Sequence, residues 1–360
     1  MTVIMFGPKP SYLTGFGRVA RNLILRMNID EQIVVISSGT SWQDGIVDFD
    51  KYTQITVSHL DGLKYALVKL KPKVLITHGS YPHFKAIHPM LQQLDIKCAK
   101  IAMSVIENPP ASKQWVEMIN QYDHLVVPSR FSESIFKDSG VEIDSTIIRH
   151  GVDTTVFRPM AVEKEFDCIY VGDNNVRKML PRLIQALSQI QDVRVLLVTE
   201  ILGRFKERLG ENLVSAVEYY GMTDRARFHP AAGIYPVEDT DLVKFYNKSR
   251  VYVSTSAGEA FNLPILEAAA CGVPAVTTDF TGIKEYLGDA IEYAKVQTRL
   301  WFQWGEFAIV DIDDFVNKLV KLLHDPEYYE MKSKKCLELA SKLTWDEPAL
   351  QLQSLIEEYL

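Results

Sequence analysis

The chain has 360 residues, of which 47% are hydrophobic and 24% charged, the balance of a globular protein and not of a disordered, fibrous or coiled-coil chain. That length suits two domains. With 39 basic against 46 acidic side chains the net charge is −7, which argues against a nucleic-acid partner. Four cysteines, Cys98, Cys168, Cys271 and Cys336, show no C-x-x-C spacing, so reduced thiols in a cytoplasmic protein are expected in place of a disulfide framework or a zinc site. The opening MTVIMFG has no basic segment and reads as a strand, not a signal peptide. No apolar run approaches the roughly 18 residues that a membrane span needs, and peripheral membrane contact is left open.

In chain order, β-branched apolar runs predict strands at residues 3–6, 33–37, 74–77, 100–104, 125–127 and 146–149. A second series follows at 168–171, 193–199, 227–229, 251–254, 275–278 and 307–310. Most are continuously apolar, as parallel strands covered on both faces should be, and amphipathic helical stretches separate them. Strand–helix–strand order repeated this way is the mark of α/β doubly wound sheets, and twelve strands suit two of them. The glycine, proline and charge of HGVDTTVFRP, residues 150–159, mark the connection. The expected domains are 1–155 and 156–343. A helix at 344–360, with Leu352, Leu355, Ile356 and Tyr359 on one face, is expected to pack back on the first domain.

Three strand–loop–helix segments carry chemistry. In GPKPSYLTGFGRVA, residues 7–20, Gly15 and Gly17 permit close approach of a ligand, and the helix start offers amides to an anion. By letter Gly15-x-Gly17-x-x-Ala20 is also a dinucleotide fingerprint. That fingerprint follows its strand at once, and its next strand ends in an acidic residue; neither holds here, so a phosphate- or sugar-facing loop is the reading. In VGDNNVRKMLPRLI, residues 171–184, Arg177 and Lys178 sit where loop becomes helix. A guanidinium fork, a compact ammonium and a helix N-terminus suit a diphosphate, and both side chains are expected to be exposed before ligand binds.

The third segment is GEAFNLPILEAAACGVPAV, residues 258–276. Pro264 suits the first turn of a short helix with Asn262 as its cap, and Gly272 suits the C-terminal end. Glu259 then lies in the preceding loop and Glu267 in the first helical turn, favourable for a carboxylate. Eight residues of unbroken helix would rotate the two glutamates about 80° apart, so a break between loop and helix is needed to turn both toward one ligand.

The span from Glu259 to Glu267, continued through Gly272 and Pro274, resembles the E-x7-E segment of retaining GT-B-fold glycosyltransferases. The group is glycosyltransferase family 4, the large family that contains bacterial mannosyl- and glucosyltransferases. The likeness extends to VPSRFS at 127–132, HGVD at 150–153, Arg177-Lys178 and Thr344-Trp345, in order along nearly the whole chain. It implies two Rossmann-like doubly wound parallel-sheet domains facing a cleft. It also implies transfer of a sugar, with retention, from a UDP- or GDP-linked donor to a hydroxyl of a glycan, lipid-linked or protein acceptor. Arg177 and Lys178 would hold the donor diphosphate, Glu267 the ribose hydroxyls and Glu259 the sugar, so Glu259, Lys178 and Arg177 are the catalytic set. Backbone amides of Phe261, Asn262 and Leu263 would reach the sugar, and those of Gly15 and Gly17 the phosphates.

No metal or other cofactor is implied. The pair Asp311 and Asp313 has metal-motif spacing by letter but opens a surface helix. The chain also departs from the family pattern. Asp173 stands where an arginine is common, Asn262 where a glycine is common, and Glu107 near the position of a first-domain histidine. Glu107 and His78 are the acceptor-side candidates, and His150 lies at the hinge. The competing readings are a non-catalytic nucleotide- or glycan-binding protein of the same fold and a sugar-nucleotide epimerase. Donor hydrolysis or transfer separates enzyme from binder.

Overall fold

The computed structural model describes residues 2–38, 45–57, 59–94, 96–201, 212–229, 237–280, 282–302 and 305–360. The chain divides into two units, Met1–His150 with Trp345–Leu360, and Gly151–Thr344.

The first unit alternates strands and helices. It opens with β1 (Thr2–Phe6), α1 (Gly15–Arg26), β2 (Gln32–Ser38), β3 (Gly45–Asp48), β4 (Thr53–Val57) and α2 (Leu60–Leu70). It continues with β5 (Val74–Gly79), α3 (Tyr81–Gln93), β6 (Ala99–Ser104), α4 (Lys113–Ile119), β7 (His124–Val127), α5 (Arg130–Asp138) and β8 (Ser145–Ile147). The strands form one sheet in the order β3-β4-β2-β1-β5-β6-β7-β8. Pairing is parallel except at the edge, where β3 runs antiparallel to β4. Central β5 is buried along its whole length, which is why its sequence shows no polar alternation.

The second unit begins with β9 (Phe166–Val171), α6 (Leu180–Ser188), β10 (Val195–Val198), α7 (Leu213–Tyr219), β11 (Ala226–Phe228) and α8 (Asp239–Asn247). Then come β12 (Ser249–Ser254), α9 (Leu263–Ala270), β13 (Ala275–Thr278), α10 (Ile283–Leu287) and β14 (Glu292–Ala294). Six strands pair in parallel in the order β11-β10-β9-β12-β13-β14. One core runs from Cys168 and Leu197 through Leu183, Ile184 and Leu187 to Phe315, Leu319 and Leu322. Both units are thus Rossmann-like α/β sheets.

Strands β3, β4 and β14 go beyond the sequence reading, and one expected strand lies outside both large sheets. Residues 307–310 do not join the parallel sheet. They lie in β16 (Gly305–Val310), which pairs antiparallel with β15 (Val296–Phe302) as a separate two-stranded ribbon. After it come α11 (Ile312–His324), α12 (Pro326–Ala340) and α13 (Asp346–Glu357). The α13 helix lies against α1, joined by an ion pair from Arg26 to Asp346 at 3.3 Å and by the Asn28 amide donating to Gln353 at 2.8 Å. Among the described residues no helix is long and apolar enough to cross a membrane.

Candidate functional site

Sheet topology decides where loops can converge. In the second unit the chain moves from β9 outward through β10 to β11, then returns to lay β12 on the other side of β9. The loops leaving the carboxyl ends of β9 and β12 therefore diverge at their start and leave a crevice, the usual ligand position in an open α/β sheet. The β9 loop passes through a single tight turn at Val176–Lys178, and Met179, at φ 52°, reverses the chain into α6. The β12 loop is stapled to it. The Ala257 amide donates to the Arg177 carbonyl at 2.8 Å, and the Thr255 hydroxyl donates to the Met179 carbonyl at 2.9 Å.

These staples bring three charged side chains together. Glu259 Oε1 lies 2.5 Å from Lys178 Nζ and its Oε2 lies 3.0 Å from Arg177 Nη1. Arg177 also donates to the Gly258 carbonyl at 2.5 Å. Burial alone would raise the Glu259 pKa. The Arg177 and Lys178 charges, with hydrogen bonds from Lys178 and Ser256, overcome that and hold it at about 2. The expectation of exposed cations is corrected here: the Arg177 and Lys178 side chains are only 13% and 14% exposed, because a buried carboxylate 81 positions along the chain pairs with both. Each loop supplies the charge that the other needs.

The break required between the glutamates is present, and its agent is Asn262. This residue has φ 72° and ψ 73°, so α9 starts afresh at Leu263 with Pro264 at its second position. Asn262 occupies the cap position, but its side chain makes no capping bond, which corrects the cap reading. Glu267 is the fifth residue of α9, just past the first turn in which it was expected, and it accepts a hydrogen bond from the Tyr246 hydroxyl at 2.8 Å. The two glutamates share a neighbour in Tyr252. Burial first, then Glu259 and Glu267 together, push its hydroxyl pKa well up. At its far end α9 closes with Gly272, at φ 73°, whose amide donates to Ala269 while that of Val273 donates to Ala268.

Tyr246, Ser256 and Tyr286 are members of this neighbourhood that the sequence reading missed. Only Ser256 had a signal, in the hydroxyl-rich STS run that ends β12. The two tyrosines read as core. Among the described residues no group of three or more His, Cys, Asp or Glu side chains is arranged to hold a metal ion. Asp311 accepts the Asp314 amide as the cap of α11.

The first unit has its own switch point, between β1 and β5. Strand ends crowd there: a Cβ at Gly7 would lie 2.3 Å from the His78 carbonyl. Thr14 is the N-cap of α1, its Oγ1 accepting from the Gly17 amide at 3.2 Å, so that amide already has a partner within the loop. His78, at the end of β5, lies buried under this loop with Nε2 3.2 Å from the Phe16 carbonyl. Burial lowers its pKa to about 4, so the ring is neutral and Nε2–H donates. His150 is likewise buried, held at about 3, and lies against Trp345 with ring centroids 5.7 Å apart. Glu107 is half-buried, three residues beyond β6.

The two glycines of the loop should respond differently to alanine. A Cβ at Gly17 would meet the Tyr12 carbonyl at 2.2 Å and that of Lys9 at 2.7 Å, whereas one at Gly15 meets nothing within 4 Å. Gly17→Ala is expected to destabilise by about 1–3 kcal/mol, and Gly15→Ala to be neutral or slightly stabilising. Urea unfolding of the two variants checks this, and equal midpoints would remove the steric account.

Comparison with known proteins supports a common family. Residues 153–336 match the model of the family described as Glycosyl transferases group 1. The chain is 28% identical to O-antigen chain mannosyltransferase B of Escherichia coli, over 49% of this chain and 42% of that one. It is 26% identical to a D-inositol 3-phosphate glycosyltransferase of a Mycobacterium species, over 50% of this chain and 42% of the relative. The matched stretch thus spans less than half the length of either. Among solved structures, sucrose-phosphate synthase from Thermosynechococcus elongatus superposes with a TM-score of 0.78 at 18% identity, covering 99% of this chain and 98% of that one. Anabaena HepE, solved with UDP and glucose, gives 0.74 at 13% identity over 99% and 100%.

Proposed function

Because the chain belongs to the group 1 glycosyl transferases, we propose that it moves a hexose, with retention, from a UDP- or GDP-linked donor to an acceptor hydroxyl of a glycan, lipid-linked or protein substrate in the cytoplasm. The observation that carries this reading is the Arg177–Lys178–Glu259 cluster beside the β9–β12 switch point. In such a transfer the departing diphosphate gains negative charge, and preorganised cations facing it lower the barrier. Glu259 keeps both cations in place before the donor arrives.

Two positive side chains supply the charge that a metal would otherwise bring, so the reaction proposed is metal-independent. Glu267 is assigned to the ribose hydroxyls and the amides of Phe261, Asn262 and Leu263 to the sugar. The Gly17 amide is bonded to the Thr14 cap, so Gly15 is the glycine assigned to the phosphates. Glu107 and His78 are assigned to the acceptor side. Thermal unfolding with UDP, GDP, ADP, UDP-glucose and GDP-mannose tests the reading. HepE's complex with UDP and glucose puts UDP-glucose first. A donor at 100 times its Kd should stabilise by about 2.7 kcal/mol, and release of its nucleotide should follow when acceptor or water is present. No shift with any of the five would overturn it.

A further inference from the structure

Asn262 carries two costs that glycine would avoid. Its φ of 72° lies in the left-handed region, where a Cβ crowds the following carbonyl. Its side-chain oxygen Oδ1 is buried, in a residue only 8% exposed, and has no hydrogen-bond partner among the described residues. Nor does the side chain cap α9, the task for which asparagine is most often chosen.

The backbone on either side is held firmly. Phe261 stacks on Tyr286 with ring planes 2° apart and centroids at 4.0 Å, and the Tyr286 hydroxyl donates to the Phe261 carbonyl. Pro264 restricts the chain on the other side. Tyr286 also lies within electrostatic reach of Glu259, which places this corner beside the cation cluster. A stiff, buried acceptor that the fold does not use is preorganised for an external donor.

We propose that the Asn262 side-chain oxygen accepts a hydrogen bond from one hydroxyl of the transferred sugar, and that this bond selects among donors differing at that hydroxyl. The proposal rests on the glycosyl-transfer reading of the same site. It gives the residue a role that its backbone amide does not supply: a backbone N–H is present whatever the side chain, whereas the oxygen is lost in Asn262→Gly.

The test separates nucleotide from sugar. UDP with UDP-glucose, and GDP with GDP-mannose, are titrated calorimetrically into the wild-type chain and into Asn262→Gly. The pair that binds is then extended to its monodeoxy-sugar analogues. The expected result is a thermal midpoint equal to or above wild type and nucleotide affinity within two-fold. The extra affinity contributed by the sugar should fall by about three- to ten-fold. One deoxy analogue should bind the wild type less well than the full donor does, and Asn262→Gly should no longer distinguish the two. An unchanged sugar contribution, or a lowered midpoint with that contribution intact, would assign Asn262 to the fold alone and overturn the proposal. If the wild type binds none of these ligands, the glycosyl-transfer reading fails and the proposal with it. If they bind and only the sugar contribution is unmoved, the Asn262 assignment alone falls.

Discussion

Replacing Lys178 by alanine should lower kcat/KM for the nucleotide-sugar donor by roughly 10- to 150-fold, the loss of one charge-assisted contact. Arg177→Ala should act alike. The structure adds a stability effect that exposed cations would not have. Each cation is one of two holding the buried Glu259 carboxylate, so either variant leaves that charge half-compensated. A cost of about 1–3 kcal/mol in unfolding free energy is expected, small enough for the fold to survive. The two readouts are independent. A folded Lys178→Ala variant with unchanged donor kinetics would remove the diphosphate assignment even if its stability had fallen.

Substituting the glutamates one at a time should divide their roles. Glu267→Gln keeps shape and one acceptor oxygen but loses charge assistance toward hydroxyl donors, so free nucleoside diphosphate and donor should both bind more weakly, by roughly 1–2 kcal/mol. Glu259→Gln should do the opposite to the nucleotide. It removes the counter-charge from Arg177 and Lys178, so nucleoside diphosphate affinity should hold or rise while turnover of the sugar donor falls. The same variant should unfold more easily at neutral pH by about 3 kcal/mol, since an amide replaces a paired buried carboxylate. In the wild type that stabilisation is present above the ordinary carboxyl value of 4.5 and is lost as pH falls toward the folded value of about 2. Glu259→Gln should flatten this acid limb. Calorimetric titration and urea midpoints from pH 7 to 3 measure both effects, and weakening of nucleotide binding to the same degree in both variants would sink the division of labour.

The central strands could be read because burial on both faces leaves an unbroken apolar run, as in the VLIT of β5. Strands β3, β4, β14 and β15 could not. In β4 the inward positions include Gln54 and Thr56, so alternation gives no apolar signal. In β15 the apolar Leu300, Trp301 and Phe302 are exposed, Trp301 by 66%, and nothing in the letters says that their ribbon stands apart from the sheet. Both segments that carry the ion cluster were found from glycines, cations and acids at loop–helix junctions. What the letters could not supply was that Glu259 pairs with Arg177 and Lys178, because a contact across 81 positions depends on strand order. The cap at Asn262 failed for a local reason. Asparagine is favoured both as a cap and at positive φ, and the choice depends on a dihedral angle that composition does not encode. The Thr14 cap, by contrast, stood in plain view as a threonine three residues before Gly17.

The bridge between Val152 and Thr344 has a consequence for the order of assembly. These two residues pair as neighbouring extended segments, with the Val152 amide donating to Leu343 at 2.8 Å, and both belong to the second unit. They are also where the chain enters that unit and where it leaves. The first unit needs α13 to cover α1, yet the bond from Asn28 to Gln353 spans 325 positions, a loop closure that is slow in a flexible chain. Once the second unit folds, its paired ends bring His150 and Trp345 side by side, and the long closure becomes a short one. The first unit is thus discontinuous in sequence, its last helix following the whole of the second unit.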